Sequence, residues 1–192
     1  MLSKISRRIT VKYLIFQNIQ FFKIFGFSKS SDKPFFHTIP GMPGYSTRLD
    51  MIRRYQEEYV SKMLSYSLKF GHVLYCMNNE TSTPAIWGQY WINFIKSKAA
   101  EKGLNVYTTD MFDDAHKGID AVDTPIVFND PDHYTFADIS QVNSRKFGDD
   151  HWNELLWTIQ QVNLRKTRPV NHTKIYGGWV AAIDRIKPQE GF

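Results

Sequence analysis

The stretch HVLYCMNNE, residues 72–80, decides the fold class, because an apolar run at 73–77 is followed at once by Asn78, Asn79 and Glu80. A short run without polar alternation is typical of a strand that is covered on both faces, as in a parallel sheet. We therefore predict a buried strand over 72–77 that ends at the three polar residues.

Helical patterns lie on both sides of this strand. Upstream, apolar residues at helical spacing predict a helix over 49–70, with residues 47–50 as a capping box. Downstream, a second helical pattern runs to position 102, with Pro84 suited to its first position and Gly103 suited to its end. The central strand is thus predicted to lie between two helices.

Three more strands follow at regular spacing. Apolar runs predict strands at 105–109, 134–139 and 169–176, and a helical pattern over 152–162 separates the last two. The strand starts are about thirty residues apart, which is the length of one βα unit. This alternation predicts an α/β fold, with a parallel sheet covered by outer helices. Before the first helix, the proline- and glycine-rich segment 28–45 predicts a linker.

Composition excludes several classes of protein. The chain has 192 residues, of which 42% are hydrophobic, too many for a fully disordered chain. It has no apolar run of the roughly 18 residues that a membrane-spanning helix needs, so we expect no transmembrane segment. The single cysteine, Cys76, excludes an intrachain disulfide framework and a cysteine-rich zinc site, and its apolar strand predicts a core position.

The net charge of +5 comes from the first thirty residues. They contain six basic residues and no acidic one, and subtracting these leaves −1 for residues 31–192. Nucleic acid is therefore not a predicted partner. Residues 1–34 are also rich in Ile and Phe, and we consider a secretory signal, a basic amphipathic surface helix or a poorly ordered extension. We favour the last, because neither a continuous apolar stretch nor a small-residue cleavage site is clear.

Polar side chains follow each predicted strand. In a parallel sheet the carboxyl ends of the strands meet at one edge, where functional groups gather. Carboxylates and amides suit sugar hydroxyls, and aromatic rings suit the flat C–H faces of sugars, so this edge indicates a carbohydrate partner. The candidate residues are Asn79, Glu80, Asp110, Gln141, Asn143 and Lys174, with the aromatic residues Trp87, Tyr107, Tyr134 and Tyr176.

The strand that ends in Asn79-Glu80 resembles the fourth strand of the retaining glycoside hydrolases with (β/α)8, or TIM, barrels. The preceding helix, with Arg54-Tyr55-Gln56 and Tyr59-Val60, and the Trp-rich helix after the strand are similar to the same superfamily. The resemblance extends over roughly 35–178. It implies that Glu80 is the general acid/base and that Asn79 binds a sugar hydroxyl.

The chemistry gives this role of Glu80 a physical reason. A glycosidic oxygen leaves poorly unless it is protonated as the bond breaks, so the general acid must keep its proton near pH 7. An apolar strand end beside Trp87 favours this, because desolvation disfavours a charged carboxylate. The alternative is structural, since Glu80 lies just before Pro84, where a carboxylate stabilises a helix N-terminus. We favour the catalytic role.

The chain departs from the family at the predicted seventh strand. The family has its nucleophile, a Glu, at the end of that strand, whereas 169–176 contains Lys174 and no acid. No strand is predicted before residue 46, and no eighth unit after Gly178. Three or four units cannot close an eight-stranded barrel, so we expect an incomplete one, roughly strands four to seven. The chain is then either part of a longer protein or a degenerate relative.

This interpretation divides the chain into a leader at 1–34, a glycosidase-like barrel segment at 35–178 and a C-terminal tail at 179–192. An open barrel leaves two strand edges without partners, so we expect self-association through exposed sheet edges. The resemblance implies a secreted or periplasmic location, but the leader shows no clear signal peptide, and the location is left unassigned.

Hydrolysis needs a second carboxylate, and Asp110, at the end of the next strand, is the preferred candidate. A solvated loop acid is an equally good interpretation of Asp110, and Asp138 lies within a strand, with its side chain toward either layer. The acidic residues and histidines from 113 onward lack the spacing of a calcium loop or a zinc site, so we predict no metal. No cofactor is predicted.

The predicted function is hydrolysis of O-glycosidic bonds in poly- or oligosaccharides, or descent from enzymes that perform it. The alternative is a non-catalytic carbohydrate-binding or scaffold remnant of such a barrel. Lys174 and the missing strands favour the remnant, whereas Glu80 favours the enzyme. We expect weak hydrolysis or none by this chain alone.

Overall fold

The chain divides into two compact units in a computed structural model. Unit 1 comprises Met1–Asn79 and Thr83–Asp110, and unit 2 comprises Glu80–Ser82 and Met111–Phe192. The division falls within 35–178, the predicted barrel segment. The residues that the structure describes are 12–13, 34–78, 83–112, 126–139 and 149–172.

Unit 1 contains a three-stranded sheet in the order β1-β2-β3, with all strands parallel. Strand β1 is Lys12–Tyr13, β2 is Val73–Cys76 and β3 is Tyr107–Thr109. Since β2 pairs with β1 on one side and β3 on the other, the predicted buried strand is the centre of this sheet.

Strand β1 lies in the segment 1–34, where the sequence predicts no strand. Lys12 and Tyr13 pair with Val73 and Leu74. Two residues are too few to show a period of two, and lysine is depleted in strands, so no pattern marks this element. Its pairing covers one edge of β2.

Helix α1, Asp50–Ser67, precedes β2 and confirms the predicted helix. Residues 47–49 form a 3-10 turn, so the predicted capping box does not form. The buried face also differs from the predicted apolar stripe, because Gln56 and Ser67 are buried while Tyr59 is exposed. Both buried polar side chains have hydrogen-bond partners, which offsets the cost of burying them.

Helix α2, Ala85–Ala100, connects β2 to β3 and packs with a broad apolar face. The helix ends at Ala100, and the predicted stop residue, Gly103, follows three positions later with a φ of 67°. The Gly103 N–H donates to the Ala100 carbonyl, and the Leu104 N–H donates to the Ala99 carbonyl. These two bonds satisfy carbonyls that the end of a helix otherwise leaves unpaired.

Residues 34–45 pack into unit 1, so the predicted linker is wrong for this part of 28–45. The ring of Phe36 lies 5.5 Å from that of Trp87 in α2, and Ile39 and Met42 are buried. The prolines and glycines that suggest a linker serve here to turn the backbone, as the left-handed φ of Gly41, 91°, indicates.

Unit 2 contains a parallel pair of strands, β4 (Ala137–Asp138) and β5 (Val170–Asn171). Helix α3, Ile126–Asn129, precedes β4, and helix α4, Asp149–Asn163, lies between β4 and β5. The predicted helix and the positions of both strands are confirmed. The apolar core of this unit includes Val127, Phe128, Tyr134, Phe136, Ile139 and Val162.

The segment before β5 is joined to α3 by Arg168. Its guanidinium donates to the carbonyl of Val127 at 2.6 Å and to that of Phe128 at 3.2 Å. These carbonyls belong to a helix end, where they lack partners within the helix. The side chain therefore fixes β5 relative to α3.

These elements establish an α/β fold with small parallel sheets. The described strands contain no hairpin, but β3 and β4 belong to different sheets, so the predicted adjacency of 105–109 and 134–139 is not found in the described part of the chain. Closure into a barrel stays a prediction. None of the helices in the described ranges is long and apolar enough to cross a membrane.

We expect Gly103→Ala to lower the free energy of unfolding by about 1 kcal/mol, because a Cβ at a φ of 67° is sterically strained. Gly71→Ala is the matched control, since a Cβ there would meet no atom within 4 Å. Urea denaturation of both variants measures the difference. Equal effects of the two substitutions would contradict the cap.

We also expect the chain to self-associate. Helix α1 exposes Ile52, Tyr55 and Tyr59 at helical spacing, and their residues are 37%, 66% and 40% exposed. Such apolar surface is unfavourable in water, so Tyr55→Ser with Tyr59→Ser should shift the molar mass toward that of a monomer. Light scattering over a concentration series measures this, with Leu104→Ser, which lies outside α1, as control. A monomeric wild-type chain at all concentrations would refute the expectation.

Candidate functional site

The carboxyl ends of β2 and β3 lie side by side, because the two strands are parallel and paired. The ladder continues past β2, since the Met77 N–H donates to the Thr109 carbonyl at 3.1 Å. Asn78 then follows on one strand and Asp110 on the other. These two residues meet at the edge where a parallel sheet places its functional groups.

Asp110 has a buried carboxylate, and the residue is 1% exposed. Its Oδ1 accepts a hydrogen bond from the Asn78 backbone N–H at 2.9 Å. Burying a carboxylate is costly unless polar groups replace its water, so this bond compensates part of the cost. Asp110 thereby joins the end of β3 to the residue after β2.

Gly88, in the first turns of α2, makes room for this carboxylate. A Cβ at Gly88 would collide with Asp110 Oδ2 and would lie 3.3 Å from Asp110 Cγ. Glycine therefore allows α2 to approach the carboxylate closely. The approach is favourable for a negative charge, because the N-terminal end of a helix carries partial positive charge.

The other backbone group of Asn78 is held by Cys76. The buried Cys76 thiol donates to the Asn78 carbonyl at 2.9 Å, which confirms its predicted core position. Side chains from two adjacent strands therefore bind both the N–H and the carbonyl of Asn78. We call the three residues Cys76, Asn78 and Asp110 the Asn78 clamp.

The side chain of Asn78 is a site residue that sequence reasoning missed. The residue is 3% exposed, and within the described ranges its Nδ2 has no hydrogen-bond partner. A buried donor without an acceptor costs about 1–3 kcal/mol, so a site that keeps one calls for a functional explanation. The available signal was its place directly after the strand, one position before Asn79.

Trp87 does not present an open ring face to a sugar. The residue is 2% exposed, and its ring packs 5.5 Å from that of Phe36 and 6.2 Å from that of Trp91. The predicted stacking role is therefore replaced by a core role, because a large aromatic side chain contributes most to stability when it is buried.

Tyr107 and Tyr134 also differ from the predicted arrangement. Tyr107 is half exposed, but it begins β3 and so lies toward the amino end of the strand, away from Asp110. Tyr134 is fully buried in unit 2, where its ring packs edge-on against Phe112 at 5.7 Å. Tyr107 therefore does not extend the edge that carries the Asn78 clamp, and Tyr134 has a core role in unit 2.

Six predicted site residues lie outside the described residues, so their roles stay predictions. They are Asn79, Glu80, Gln141, Asn143, Lys174 and Tyr176.

Unit 2 has a carboxylate–amide contact of its own. Asp138 is fully buried, and its Oδ2 accepts a hydrogen bond from Asn171 Nδ2 at 2.7 Å. The two residues are direct partners across β4 and β5, so the side chain of Asp138, whose direction the sequence left open, points toward β5. In each unit a buried aspartate thus accepts a hydrogen bond from an asparagine of the neighbouring strand segment.

The described ranges contain no group of three or more His, Cys, Asp or Glu residues arranged to hold a metal ion. Two acids of the segment after residue 113 have basic partners. Asp130 Oδ2 lies 2.7 Å from His133 Nδ1, and Asp132 Oδ1 lies 2.9 Å from Lys166 Nζ.

Comparison with known proteins finds no family model, curated protein or solved structure that matches this chain. Its function is therefore argued from the residues of the site.

A second polar cluster joins α1 to residues 34–45. Thr38 Oγ1 donates to Gln56 Oε1 at 2.7 Å, and Arg53 donates to the Thr38 carbonyl and to Asp50, both at 2.9 Å. These groups satisfy one another, so the cluster acts as a structural lock between the two segments.

Tyr90 of α2 extends this cluster, because its hydroxyl donates to Glu57 of α1. Burial, followed by the hydrogen bond with Glu57 and its charge, raises the pKa of Tyr90 above the ordinary value of 10.0. The folded chain therefore keeps this proton at a pH where the unfolded chain loses it. The stability that Tyr90 contributes is complete below pH 10 and declines as the pH rises further.

We expect Tyr90→Phe to reduce the loss of stability between pH 7.5 and pH 10.5. The reduction is at most about 0.8 kcal/mol, because at pH 10.5 the unfolded chain has lost most of the Tyr90 proton while the folded chain keeps it. Solvent screening of the partly exposed side chain makes the reduction smaller. Urea denaturation at both pH values measures it, with the exposed Tyr55→Phe as control. An unchanged pH dependence in Tyr90→Phe would contradict the assignment.

Proposed function

We propose that this chain is a glycoside-hydrolase-like α/β protein that acts on or binds poly- or oligosaccharides at the carboxyl end of β2. In this proposal Glu80 is the general acid/base and Asn79 binds a sugar hydroxyl. The observation that carries the proposal is the Asn78 clamp, which fixes the backbone directly before Asn79-Glu80 to the ends of two parallel strands. Enzymes built on parallel sheets gather their functional groups at this edge.

The order of the strands supports an incomplete (β/α)8 barrel as the scaffold. Within each sheet, strands that are neighbours in the chain are neighbours in space, and every pair is parallel. Barrels wind in this one direction, whereas doubly wound sheets reverse their order at a switch point. The connections that contain α1, α2 and α4 have the helices that a barrel needs on its outside.

The chemistry assigned to Glu80 is proton transfer to the glycosidic oxygen. Protonation makes that oxygen a leaving group, and a positioned acid typically contributes about 10²- to 10⁴-fold to the rate. The Asn78 Nδ2 has no acceptor among the described residues, but Asn78 is only 3% exposed, so it supports this edge through its backbone and not through contact with a sugar.

The second carboxylate limits what this chain does alone. Hydrolysis needs one about 5–5.5 Å from the acid for retention, or about 6.5–9.5 Å for inversion. Asp110, the sequence-based candidate, is buried and bonded to Asn78, and Asp138 is buried and bonded to Asn171. The family's own position holds Lys174. We therefore expect weak hydrolysis or none without a further chain.

Asp110 is buried and accepts a hydrogen bond from the Asn78 N–H, so it is not placed to act as the second carboxylate. This favours a second candidate function, a carbohydrate-binding or scaffold remnant without catalysis. Such a protein would keep Asn79 and the Asn78 clamp for binding, and it would have no need of a second carboxylate. The two functions differ in what Glu80 does, because a binding module needs no proton donor.

Substitution of the proposed acid separates these functions. Where the wild-type chain turns oligosaccharides over, we expect Glu80→Gln to lower kcat/KM at least 100-fold, because their leaving groups need a proton, and to lower kcat/KM much less for dinitrophenyl glycosides, whose leaving groups do not. Glu58→Gln, on the exposed side of α1, is the matched control and should keep wild-type rates. Initial rates with both substrate classes measure the effect.

Turnover that is unchanged in Glu80→Gln would contradict the role of Glu80. Calorimetric binding of oligosaccharides without turnover would favour the remnant. A chain that neither binds nor hydrolyses them would contradict the proposal as a whole.

A further inference from the structure

We propose that a surface at the end of α1 binds anionic glycans, which are polysaccharides that carry carboxylate or sulfate groups. The proposal rests on the proposed function, because it names a class of carbohydrate for the same protein. The surface, which we call the Tyr66 patch, consists of Lys62, Tyr66, Lys69, Phe70 and His72, all of them exposed. It precedes β2, so it lies at the amino end of this strand, opposite the edge that carries the Asn78 clamp.

Two aromatic side chains of the patch are open to solvent. Tyr66 is 55% exposed and Phe70 is 56% exposed. The Phe70 ring lies 5.8 Å from the ring of His72, so the patch presents grouped rings and not a single one. Isolated apolar side chains on a surface are ordinary, whereas a group of them indicates a binding surface. Exposed rings suit the flat C–H faces of sugars.

The lysines of the patch add positive charge beside these rings. The Nζ atoms of Lys62 and Lys69 lie 5.2 Å and 5.4 Å from the centre of the Tyr66 ring. Among the described residues, neither ammonium group has a carboxylate within ion-pair distance, whereas Arg53 and Lys98 have one at 2.9 Å and 2.8 Å. Two such charges beside an exposed ring favour a ligand that combines anionic groups with a flat apolar face.

The patch stands on an ordered turn. The Lys69 N–H donates to the Tyr66 carbonyl at 3.3 Å, and the Phe70 N–H donates to the Ser67 carbonyl at 3.1 Å. On the buried side, the hydroxyl of Tyr75 in β2 donates to Ser67 Oγ at 3.0 Å. These bonds fix the end of α1 to the sheet, so a ligand has little backbone to order when it binds, which favours affinity.

Nucleic acids and membranes fit the patch less well than an anionic glycan does. Affinity for nucleic acid rises with the number of phosphates neutralised, but the patch has two lysines, and residues 31–192 carry a net charge of −1. Membrane-surface helices bury a wide apolar face, whereas the patch has one ring without a polar atom, that of Phe70. A glycan carries its charges at intervals between sugar faces, so few lysines and rings suffice.

Calorimetric titration of the full chain tests the patch. The ligands are a polygalacturonate oligomer, which carries carboxylates, and dextran sulfate, and the tighter binder identifies the anionic group. We expect Lys62→Glu with Lys69→Glu to weaken binding about tenfold or more, because attraction becomes repulsion, and Tyr66→Ala to weaken it about threefold to tenfold.

Matched controls lie outside the patch. Arg54→Glu with Lys102→Glu makes the same change of net charge at exposed positions, and Trp152→Ala removes a ring that is 57% exposed. Both should keep the wild-type affinity, and circular dichroism establishes that every variant is folded. Raising NaCl from about 0.1 M to about 1 M shortens the screening length from about 10 Å to about 3 Å, so the wild type should bind more weakly. Equal binding by the wild type and Lys62→Glu with Lys69→Glu would overturn the patch.

Other occupants are distinguished by the same titrations. Tighter binding of single-stranded oligodeoxythymidylate, or of phosphatidylserine vesicles, than of either glycan would overturn the assignment in favour of nucleic acid or a membrane. A lower molar mass of Tyr66→Ala in light scattering would overturn it in favour of a second copy of the chain. Binding of neutral oligosaccharides without binding of an anionic glycan would overturn the patch alone. If the chain neither binds nor hydrolyses any glycan, the patch and the proposed function both fail.

Discussion

Unit 1 depends on a carboxyl group that is buried where β3 ends. The carboxylate of Asp110 can be buried only if polar groups replace its water, and the Asn78 N–H supplies one of them at 2.9 Å. The missing side chain of Gly88 lets α2 approach the second carboxylate oxygen. The positions of β2, β3 and α2 are therefore coupled, because the hydrogen bond to Asn78 and the space at Gly88 both depend on them.

Much of the fold could be predicted from the sequence, because an apolar pattern of sufficient length reports which face is buried. Strands β2 and β3 and helices α1, α2 and α4 occur where such patterns predict them. The two residues of β1 carry no period, and only the partner strand defines their place. A local sequence pattern also could not predict the packing of 34–45, since it depends on a hydrogen bond between Thr38 and Gln56, which are eighteen residues apart in the chain.

The sequence predicted where the candidate site lies, at the carboxyl ends of the strands, better than it predicted which residues form it. Asp110 was found because any residue directly after a parallel strand falls at the carboxyl edge. Trp87 and Tyr134 have rings that can stack on a sugar, but the residue type does not show whether a ring is exposed. Both rings are buried. Asn78 was missed because consecutive polar residues after a strand look equivalent until hydrogen bonds distinguish them.

The apolar surface of the helices bears on the proposed incomplete barrel. Of the described large apolar side chains, α2 exposes Ile86, whereas α1 exposes a stripe at Ile52, Tyr55 and Tyr59 and α4 exposes one at Trp152, Leu156 and Ile159. In a complete (β/α)8 ring, each helix has a neighbour on both sides that covers such surface. Burying either stripe removes apolar surface from water, so each favours self-association of the chain.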